Sequence, residues 1–585
     1  MDLRALSWNG VGVPGVPGVP DNPAIPGSAD IPDIPDSLEP IVTMQLQVLY
    51  ASQSGTAQEY AERFATEAYR RKIQYSVLSV DEYGGNIEKE EMVVFFVSTT
   101  GDGEAPTTMH SFWHDLLRKS HPNLDNMHCA VFGLGDSSYE KFNYVGKRLY
   151  RRLEQLGAQF ITERADADEQ HPLGIDGAYV PWSATLWEYF YNTLAWPLDP
   201  ILEYTPKVRL SPATKEGQLF PLKYNSVLTE NRRITTESHF QNVRHLVFKC
   251  DDYSPMVPGD VAVLKPVNSD KLVDELLEIL KWEDKVYHVT ALRSEVRIPT
   301  TNPISIRSLF KYHLDIVAPP KRIFFQILSQ MTVDELHGEK LAELSSAEGI
   351  DLYLDYVYRP KRTPAEVLRD FAATVSIEYI FDLFPVLRPR EYSISSSSRM
   401  HPDEVHITAA MVEYRTNLTT PRLGVCSRWL APLPIGSSVS IDVRKGNWTL
   451  PPCETPLILI AGGTGIAPMR AIIQHCPTNP KFLFFGCRYL EHDFHYRDEW
   501  PRYPALTIAA LGSRDLPGAR KHLDELLRRN GEMLKKLLQE GAYVYVAGNS
   551  KLPALIKKTI VEITNDPNLP AKLTRDNRLQ IEAWS

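Results

Sequence analysis

Three apolar segments in the first third of the chain each lead directly into a short loop rich in Gly, Ser, Thr and Asp. These loops are residues 52–57, 98–104 and 134–143, and apolar residues at helical spacing follow the first and the third. Strands that are apolar throughout are typical of parallel sheets with helices on both faces. In such sheets ligands bind beyond the carboxyl ends of the strands. The sequence therefore predicts a doubly wound α/β domain over residues 44–197, with a ligand site at the three loops.

The first loop reads SQSGTA and lies at the N-terminus of a predicted helix. Its hydroxyls and free amides favour an anion, and the lack of lysine indicates a phosphate that stays bound rather than one being transferred. A Ser- or Thr-capped helix is the alternative interpretation. In the third loop, Tyr139 and Phe142 are candidates to stack on a flat ring. The run Asp166, Asp168 and Glu169 follows the next predicted strand, FITER, and is expected either near the ligand or partner or in a solvated loop.

The middle of the chain has a different pattern, with short strands separated by turn signals. It predicts an antiparallel barrel over residues 219–448, interrupted by a helical insertion at about 266–375. Arg390 on a predicted strand can pair with a diphosphate, and Tyr392 points to the same face of that strand. Ser393 points to the other face unless the strand bends. The segment GVCSRWL, 424–430, opens a helix and predicts a second anion site near Cys426 and Ser427.

The last third begins with a strand, the glycines of GGTG at 462–465, and a helix. Glycines allow the backbone to approach a pyrophosphate, and the helix N-terminus attracts it. Three further strands lead into polar turns, which predicts a nucleotide-binding domain over residues 449–585. Ser513 and Arg514 follow one of these strands and can grip an additional phosphate through bidentate hydrogen bonds. His492 and His495 lack further ligands and are expected at the surface, so we predict no metal site there.

The length and composition of the chain limit its domain organisation and the classes of function that it can have. A chain of 585 residues is too long for one core, and its net charge of −10 argues against general nucleic-acid binding. Six sparse cysteines without a C-x-x-C pair indicate reduced thiols, and no apolar run is long enough for a membrane helix. Residues 1–43 are rich in Pro and Gly and are predicted to be disordered, with a docking tail as the alternative and Met44 as a possible start. Residues 198–218 are predicted to form a linker.

The loop motifs resemble those of the diflavin reductase family, which includes the P450 reductases. The motifs are SQSGTA, STTGDGEAP and GLGDSSYEKF for the first domain, RxYS with GVCS for the second, and GGTGIAP for the third. The resemblance implies an FMN-binding flavodoxin-like domain, an FAD-binding barrel with a helical insertion, and a ferredoxin–NADP reductase-like domain for NADPH. Tyr139 would stack on the flavin, whereas Thr100 replaces a second stacking tyrosine of the microsomal enzymes.

The residues that the resemblance assigns to cofactors and reaction form four sets. For FMN they are Ser52, Gln53, Ser54, Gly55, Thr56, Ala57, Thr99, Thr100, Gly101, Asp102, Leu134, Gly135, Asp136, Ser137, Ser138, Tyr139, Glu140, Lys141, Phe142, Asn143 and Glu169. For FAD they are Arg362, Arg390, Glu391, Tyr392, Ser393, Gly424, Val425, Cys426, Ser427 and Trp584. For NADPH they are Thr464, Gly465, Ser513, Arg514, Arg520, Lys521 and His522, the last replacing a usual tyrosine. In the reaction itself the resemblance implies roles for Ser393, Glu582 and Trp584, with the Trp584 ring lying on the FAD.

The resemblance also implies a function. Electrons would pass from NADPH to FAD, then to FMN, and then to a one-electron acceptor. The combination of motifs is most similar to the cytosolic iron–sulfur assembly branch, whose acceptor is the [2Fe-2S] centre of an anamorsin-type protein. The same architecture serving a cytochrome or a sulfite reductase haem partner is the alternative, and a flavin-free scaffold is a remote one. Ala547 replaces a cysteine of many members, which implies slower hydride transfer. We expect a cytoplasmic monomer without a membrane anchor, with mitochondrial association as a second location.

Overall fold

The computed structural model describes most of the chain. The described residues are 45–53, 55–100, 103–202, 204–217, 224–250, 255–293, 296, 298, 301–346, 348–371, 373–446, 448–515 and 521–584. Several sequence predictions fall outside them: the tail 1–43, the possible start Met44, and the site residues Ser54, Gly101, Asp102 and Arg520.

The first region is a parallel sheet between two layers of helices. Its elements are β1 Leu46–Ala51, α1 Thr56–Arg70, β2 Tyr75–Ser79, β3 Met92–Ser98, α2 His110–Leu116, β4 His128–Gly135, α3 Tyr144–Gln155, β5 Gln159–Phe160, β6 Ala165–Asp168 and α4 Asp176–Leu194. The strand order is β2-β1-β3-β4-β5, and β6 pairs with β4 beyond β5. Separate buried clusters pack on the two faces, which is why β1 is buried at every position. The predicted doubly wound fold is confirmed.

The acidic run after the predicted strand FITER lies largely on a strand, which does not fit the solvated loop that was one of its two interpretations. Only Gln159–Phe160 forms β5, whereas Ala165–Asp168 forms β6 along the carboxyl-terminal half of β4. Alternation explains the difference: Ala167 is fully buried, while Asp166 turns to the other face and accepts two hydrogen bonds of 2.8 Å from Arg164. The small alanines fit beneath the sheet's helices, and the aspartates remain at its surface.

The second region combines an antiparallel sheet with an inserted group of helices. Its elements are β7 Val208–Ala213, β8 Tyr224–Arg233, β9 Val243–Lys249, β10 Val261–Leu264, α5 Asp270–Leu280, β11 Val286–Ala291, β12 Ile304–Ser305, α6 Ile306–Tyr312, α7 Arg322–Met331, α8 Glu335–Ser345, α9 Ile350–Tyr353 with a π-helical turn Leu354–Tyr358, α10 Pro364–Asp370, α11 Ile380–Leu383, β13 Arg390–Ser393, β14 Glu404–Ala410, β15 Glu413–Tyr414, β16 Arg422–Leu423, α12 Val425–Leu430 and β17 Ser438–Arg444.

The six-stranded sheet of this region has the order β13-β10-β17-β8-β9-β14. Its two edges meet at a single antiparallel bridge between Ile394 and Ile407, so the sheet curves round on itself without a continuous closing ladder. The inserted helices have a core of their own, built around Phe310, Phe324 and Phe325. The segment predicted to be a linker, 198–218, contains β7, which pairs with β11 of the insertion and so ties the segment to it.

The third region is a second parallel sheet, with the order β20-β19-β18-β21-β22. Its elements are β18 Leu457–Gly462, α13 Ile466–His475, β19 Lys481–Cys487, α14 Leu490–Asp493, β20 Leu506–Gly512, α15 Leu523–Arg529, α16 Gly531–Gln539, β21 Tyr543–Asn549, α17 Leu552–Thr564, α18 Leu569–Arg575 and β22 Leu579–Trp584. Trp584 is the last residue of the edge strand, paired with Asn549. Among the described helices, none is both long and apolar enough to cross a membrane.

Candidate functional site

The first phosphate loop turns sharply between β1 and α1. Gly55 has a φ of +91°, a conformation that favours glycine, and Thr56 starts the helix. The Ser52 hydroxyl accepts a hydrogen bond of 3.2 Å from the Ala57 amide. The Gln53 side chain accepts one of the same length from the Thr107 amide beyond β3. The loop therefore combines a capped helix start with a tie to the second predicted loop.

The second and third loops are braced at their bases. Thr100 and Glu104 exchange backbone hydrogen bonds of 2.9 and 2.8 Å, which closes a tight hairpin, and the Thr99 hydroxyl accepts one from the Val145 amide of α3. Asn143 is fully buried with a φ of +51°, and its side-chain amide donates to the Ala167 carbonyl at 2.9 Å. A Cβ on Gly135 would lie 2.7 Å from the Asn143 Oδ1, so close packing requires glycine there.

The tip of the third loop carries acidic groups. The Ser138 amide donates to Asp136 at 2.7 Å, and the Ser137 amide donates to Asp168 at 2.9 Å. Although burial opposes it, hydrogen bonds from Ser137 and Gln170 hold the pKa of Asp168 below its ordinary value. Partial desolvation and the negative charges of Asp136 and Asp168 raise the pKa of Glu169. The loop edge is thus a concentrated negative surface.

The other predicted FMN residues lie on the same loop. Tyr139 and Phe142 are half-buried, Glu140 is exposed, and Leu134 is buried at the end of β4. Lys141 packs over Gly103, since a Cβ on that glycine would lie 2.4 Å from the lysine Cδ. The structure therefore brings the described predicted residues to one edge of the sheet, beyond β1, β3 and β4.

The predicted FAD residues meet where β13 faces α12. The Tyr392 hydroxyl hydrogen-bonds the Cys426 thiol, and burial raises the pKa of both groups, that of Cys426 to about 11. The Ser427 hydroxyl accepts from the Val412 amide at 2.8 Å, and the Gly424 amide donates to the Val412 carbonyl at 2.9 Å. These contacts fix the start of α12, with Val425 as its first residue, against β13.

The charged FAD candidates have unequal surroundings. Arg390 is exposed and donates to the Arg388 carbonyl at 2.9 Å, while Glu391 forms a bidentate ion pair with Arg444. Arg362 lies 4.4 Å over the Tyr356 ring and donates to Asp370 at 3.2 Å.

Arg362 also fits an additional acceptor. Its buried Nε has no hydrogen-bond partner among the residues that the structure describes, and the same is true of the Arg428 Nε in α12. A buried donor without an acceptor costs about 1–3 kcal/mol, so these guanidinium groups suit a bound diphosphate. The GVCSRWL motif contained Arg428, yet its spacing gave no signal for it.

Ser393 and Glu582 join the second region to the third. The Ser393 hydroxyl donates to the Glu582 carboxyl, which lies on β22 opposite Ala547. Burial raises the pKa of Glu582 to about 7, assisted by the charge of Glu391 and opposed by the Ser393 hydrogen bond. Trp584, two positions further along the strand, is half-buried against the core of the third region. The structure therefore brings Ser393 and Glu582 into contact and places Trp584 beside them on one strand face.

The nucleotide loop of the third region depends on close backbone packing. Gly463 has a φ of +56°, and the short 3₁₀ turn Gly463–Gly465, which includes Thr464, leads into α13. A Cβ on Gly465 would lie 2.1 Å from the carbonyl oxygen of Ala547, so the turn and β21 can approach only with glycine there. In contrast, a Cβ on Gly463 would meet nothing described within 4 Å, so this glycine faces open space that suits a pyrophosphate.

The predicted NADPH-selecting residues gather beyond β19 and β20. The Ser513 and Arg514 amides donate to the Cys487 and Arg488 carbonyls at 2.8 and 2.9 Å, and the Lys521 amide donates to Ser513 at 3.3 Å. His522 is exposed immediately before α15. Arg488, whose guanidinium lies 4.2 Å over Phe240, was missed by the sequence reasoning, although a cation directly after a buried parallel strand was a usable signal.

The prediction that His492 and His495 are surface residues was wrong for His495. That ring is 2% exposed, and burial lowers its pKa to about 4. His492 is half-buried and hydrogen-bonds the Thr236 hydroxyl at 2.9 Å. His492 thus links the third region to the second, whereas the His495 ring packs 5.8 Å from the Phe485 ring within the third region.

A different group, His401, Glu404 and His406, places three potential ligand atoms within 4.8 Å of one another. Arg470 donates to the Nδ1 of His406 at 3.2 Å, and its charge helps to lower the pKa of His406 to about 4, with burial as the larger cause. The adjacent guanidinium opposes the binding of a cation, so this group is better described as a hydrogen-bonded network between the second and third regions.

Comparison with known families matches each region. The flavodoxin model matches residues 48–182, the FAD binding domain model 222–429, and the oxidoreductase NAD-binding domain model 459–558. In this order, together with the site geometry, they define an oxidoreductase that uses FMN, FAD and a nicotinamide nucleotide.

The relatives narrow this class. The chain is 36% identical to NADPH-dependent diflavin oxidoreductase 1 of Danio rerio, 37% to that of Bos taurus and 35% to that of Schizosaccharomyces pombe. Each alignment covers 92% of this chain and 99% of the relative. The chain belongs to the family of NADPH-dependent diflavin oxidoreductases.

Proposed function

We propose that this diflavin oxidoreductase reduces the [2Fe-2S] centre of an anamorsin-type protein and thereby serves cytosolic iron–sulfur cluster assembly. The acidic edge around the third loop, formed by Asp136, Asp168 and Glu169 with exposed Glu140 nearby, carries the proposal. A negative surface at the outgoing flavin loops suits a partner with a basic face, and complementary charge raises the rate of encounter. The resemblance of the loop motifs to those of the iron–sulfur assembly branch supports this choice of partner.

The residues at the three sites have distinct tasks in this reaction. When bound, NADPH would supply two electrons, and the two flavins would allow these electrons to be passed on one at a time. Ser513, Arg514 and Lys521 bind the additional phosphate that distinguishes NADPH from NADH. Glu582, with a pKa of about 7, holds or releases a proton at its carboxyl beside the Ser393 hydroxyl near neutral pH.

Remaining parts of the proposal concern location and assembly state. The cytoplasm is the proposed location, with mitochondrial association as a second one, and the proposed state is a monomer. Fractionation of cells that express the tagged full-length chain tests the first, and sedimentation of the purified holoprotein tests the second. Recovery with integral membrane proteins, or a stable dimer, would contradict these parts.

The acceptor is tested by comparing the rates at which the protein reduces different candidate partners. The purified holoprotein is mixed with NADPH and, separately, with an oxidised anamorsin-type [2Fe-2S] protein, cytochrome c or a sulfite reductase haem subunit. We expect the [2Fe-2S] protein to be reduced fastest. Its reduction is measured as the loss of its visible absorbance. Glu169→Gln together with Asp136→Asn should slow that reduction and weaken its salt dependence, and the FMN content of the variant is measured in parallel so that slower docking is distinguished from loss of flavin. Faster reduction of either haem partner would favour the alternative function.

A further inference from the structure

An arginine from the second region lies directly against the phosphate loop of the first. A Cβ built on Gly55 would lie 2.2 Å from both Cζ and Nη1 of Arg388 and 2.7 Å from its Nε. Arg388 is half-buried and stands two residues before β13, and its carbonyl accepts a hydrogen bond from Arg390. A guanidinium from the FAD-binding part of the chain therefore covers the glycine from which α1 begins.

This position adds a positive charge to a loop that already favours an anion. The N-terminus of α1, a helix of 15 residues, carries a partial positive charge, and the Arg388 guanidinium lies beside it. Loop 52–57 itself has no basic residue, so it offers only hydroxyls and amides. A phosphate monoester at this loop can accept hydrogen bonds from the amides and from the planar fork of the arginine.

A second cation in the same interface behaves differently. Lys321, the residue before α7, forms an ion pair of 2.8 Å with Glu59 in the first turn of α1. Burial would raise the pKa of Glu59, but nearby positive charges hold it below its ordinary value. Lys321 makes the larger contribution and Arg388 the smaller one. Lys321 thus has a carboxylate of the first region as its partner, whereas Arg388 lies at the loop itself.

We propose that Arg388 binds the phosphate of FMN across the domain boundary and so completes the FMN site from the FAD-binding region. The proposal rests on the assignment of FMN to the flavodoxin-like region. Its consequence is reciprocal coupling: docking of the two regions strengthens FMN binding, and bound FMN strengthens docking by the same factor. Any separation of the two regions would remove this arginine from the phosphate, so FMN would then be held less tightly.

The test compares FMN with riboflavin, which has the same ring but no phosphate. Full-length protein, freed of FMN with its FAD retained, is titrated with each flavin while flavin fluorescence is followed. For Arg388→Gln we expect the Kd for FMN to rise about five- to thirtyfold, the loss of one charge-assisted hydrogen-bonded contact, while the Kd for riboflavin stays within about twofold. Lys321→Gln is the matched control, because it removes a cation of the same interface and should not distinguish the two flavins.

Each outcome is informative. An Arg388→Gln variant that weakens FMN and riboflavin equally, or weakens neither, would overturn the proposal and leave the arginine with a purely structural role. Retained FAD and an unchanged circular dichroism spectrum show that the variant is folded. If the unmodified protein bound neither flavin, the assignment of FMN to the first region would fail, and the proposed role of Arg388 would fail with it. Raising the salt concentration should weaken FMN binding more in the unmodified protein than in Arg388→Gln.

Discussion

Replacement of Glu582 is a perturbation whose effect on stability can be calculated. Its carboxyl lies at the junction between the second and third regions. The side chain accepts a hydrogen bond from Ser393 and is half-buried near the end of β22. Burial raises its pKa to about 7, so the folded protein prefers the neutral acid. Glu582→Gln keeps the size of the side chain and the acceptor for Ser393, and it removes the charge at every pH.

The size of the effect on stability follows from the difference between the ordinary pKa of a glutamate, 4.5, and the pKa of about 7 in the folded protein. Because the folded value is the higher one, the folded state binds the proton more tightly, and stability falls as pH rises through this interval. Below pH 4.5 there is no penalty, and above about pH 7 it is complete. At about 1.4 kcal/mol per pH unit the penalty is about 3 kcal/mol, an upper value since the side chain is half-buried rather than enclosed. Glu582→Gln should therefore match the unmodified protein near pH 4 and exceed its stability by up to about 3 kcal/mol at pH 8.

The assay is urea unfolding of both proteins between pH 4 and pH 8.5, monitored by tryptophan fluorescence, with the difference in free energy of unfolding plotted against pH. A difference that grows from about zero and levels off above pH 7 supports the reasoning. Glu391→Gln is a control, because it removes a neighbouring charge and should lower the apparent pKa of Glu582. Parallel profiles for the unmodified protein and Glu582→Gln would refute the reasoning, because they would show an ionised carboxyl throughout.

Three further substitutions test the nicotinamide side of the protein. Trp584→Ala should change the preference for NADPH over NADH and the release of nicotinamide more than FAD retention; unchanged coenzyme kinetics would count against a covering role. Arg514→Ala should raise the KM for NADPH about tenfold or more while the KM for NADH stays constant, and an equal rise for both would exclude a contact with the extra phosphate. Gly465→Ala should destabilise the fold by about 1–3 kcal/mol, because its Cβ would lie 2.1 Å from the Ala547 oxygen; thermal unfolding at the original midpoint would disprove that.

Local patterns in the sequence were sufficient to predict the class of each of the three folds and the sheet edge at which the candidate site residues lie. The apolar strands β1, β3 and β4 are buried almost throughout, so their composition alone indicated a covered parallel sheet and a ligand edge beyond it. Helical periodicity likewise located α5, α7 and α10 in the insertion. These features depend on neighbours along the chain, which a sequence displays directly.

Contacts between distant segments were not predictable in the same way. His495 is of a residue type that is usually exposed, yet its ring is buried beside Phe485, and His239 of the second region acts on it electrostatically. The run Ala165–Asp168 is too short for a periodic signal and becomes a strand only through its pairing with β4. Arg388 precedes the RxYS motif, and nothing in that motif indicates that its side chain reaches Gly55. In each case the determining neighbour is remote in sequence, so single-sequence patterns carry no record of it.

The order of the three regions in space follows from one short segment, residues 388–393. At one end Arg388 covers the phosphate loop of the first region, and at the other Ser393 donates to Glu582 of the third. Between them, Arg390 and Tyr392 lie on the strand that faces α12, where the FAD candidates gather. Five residues of extended chain span at most about 17 Å. The two junctions are therefore close to each other along a single strand, and that strand places the FAD candidates between the nicotinamide side and the phosphate loop of the first region.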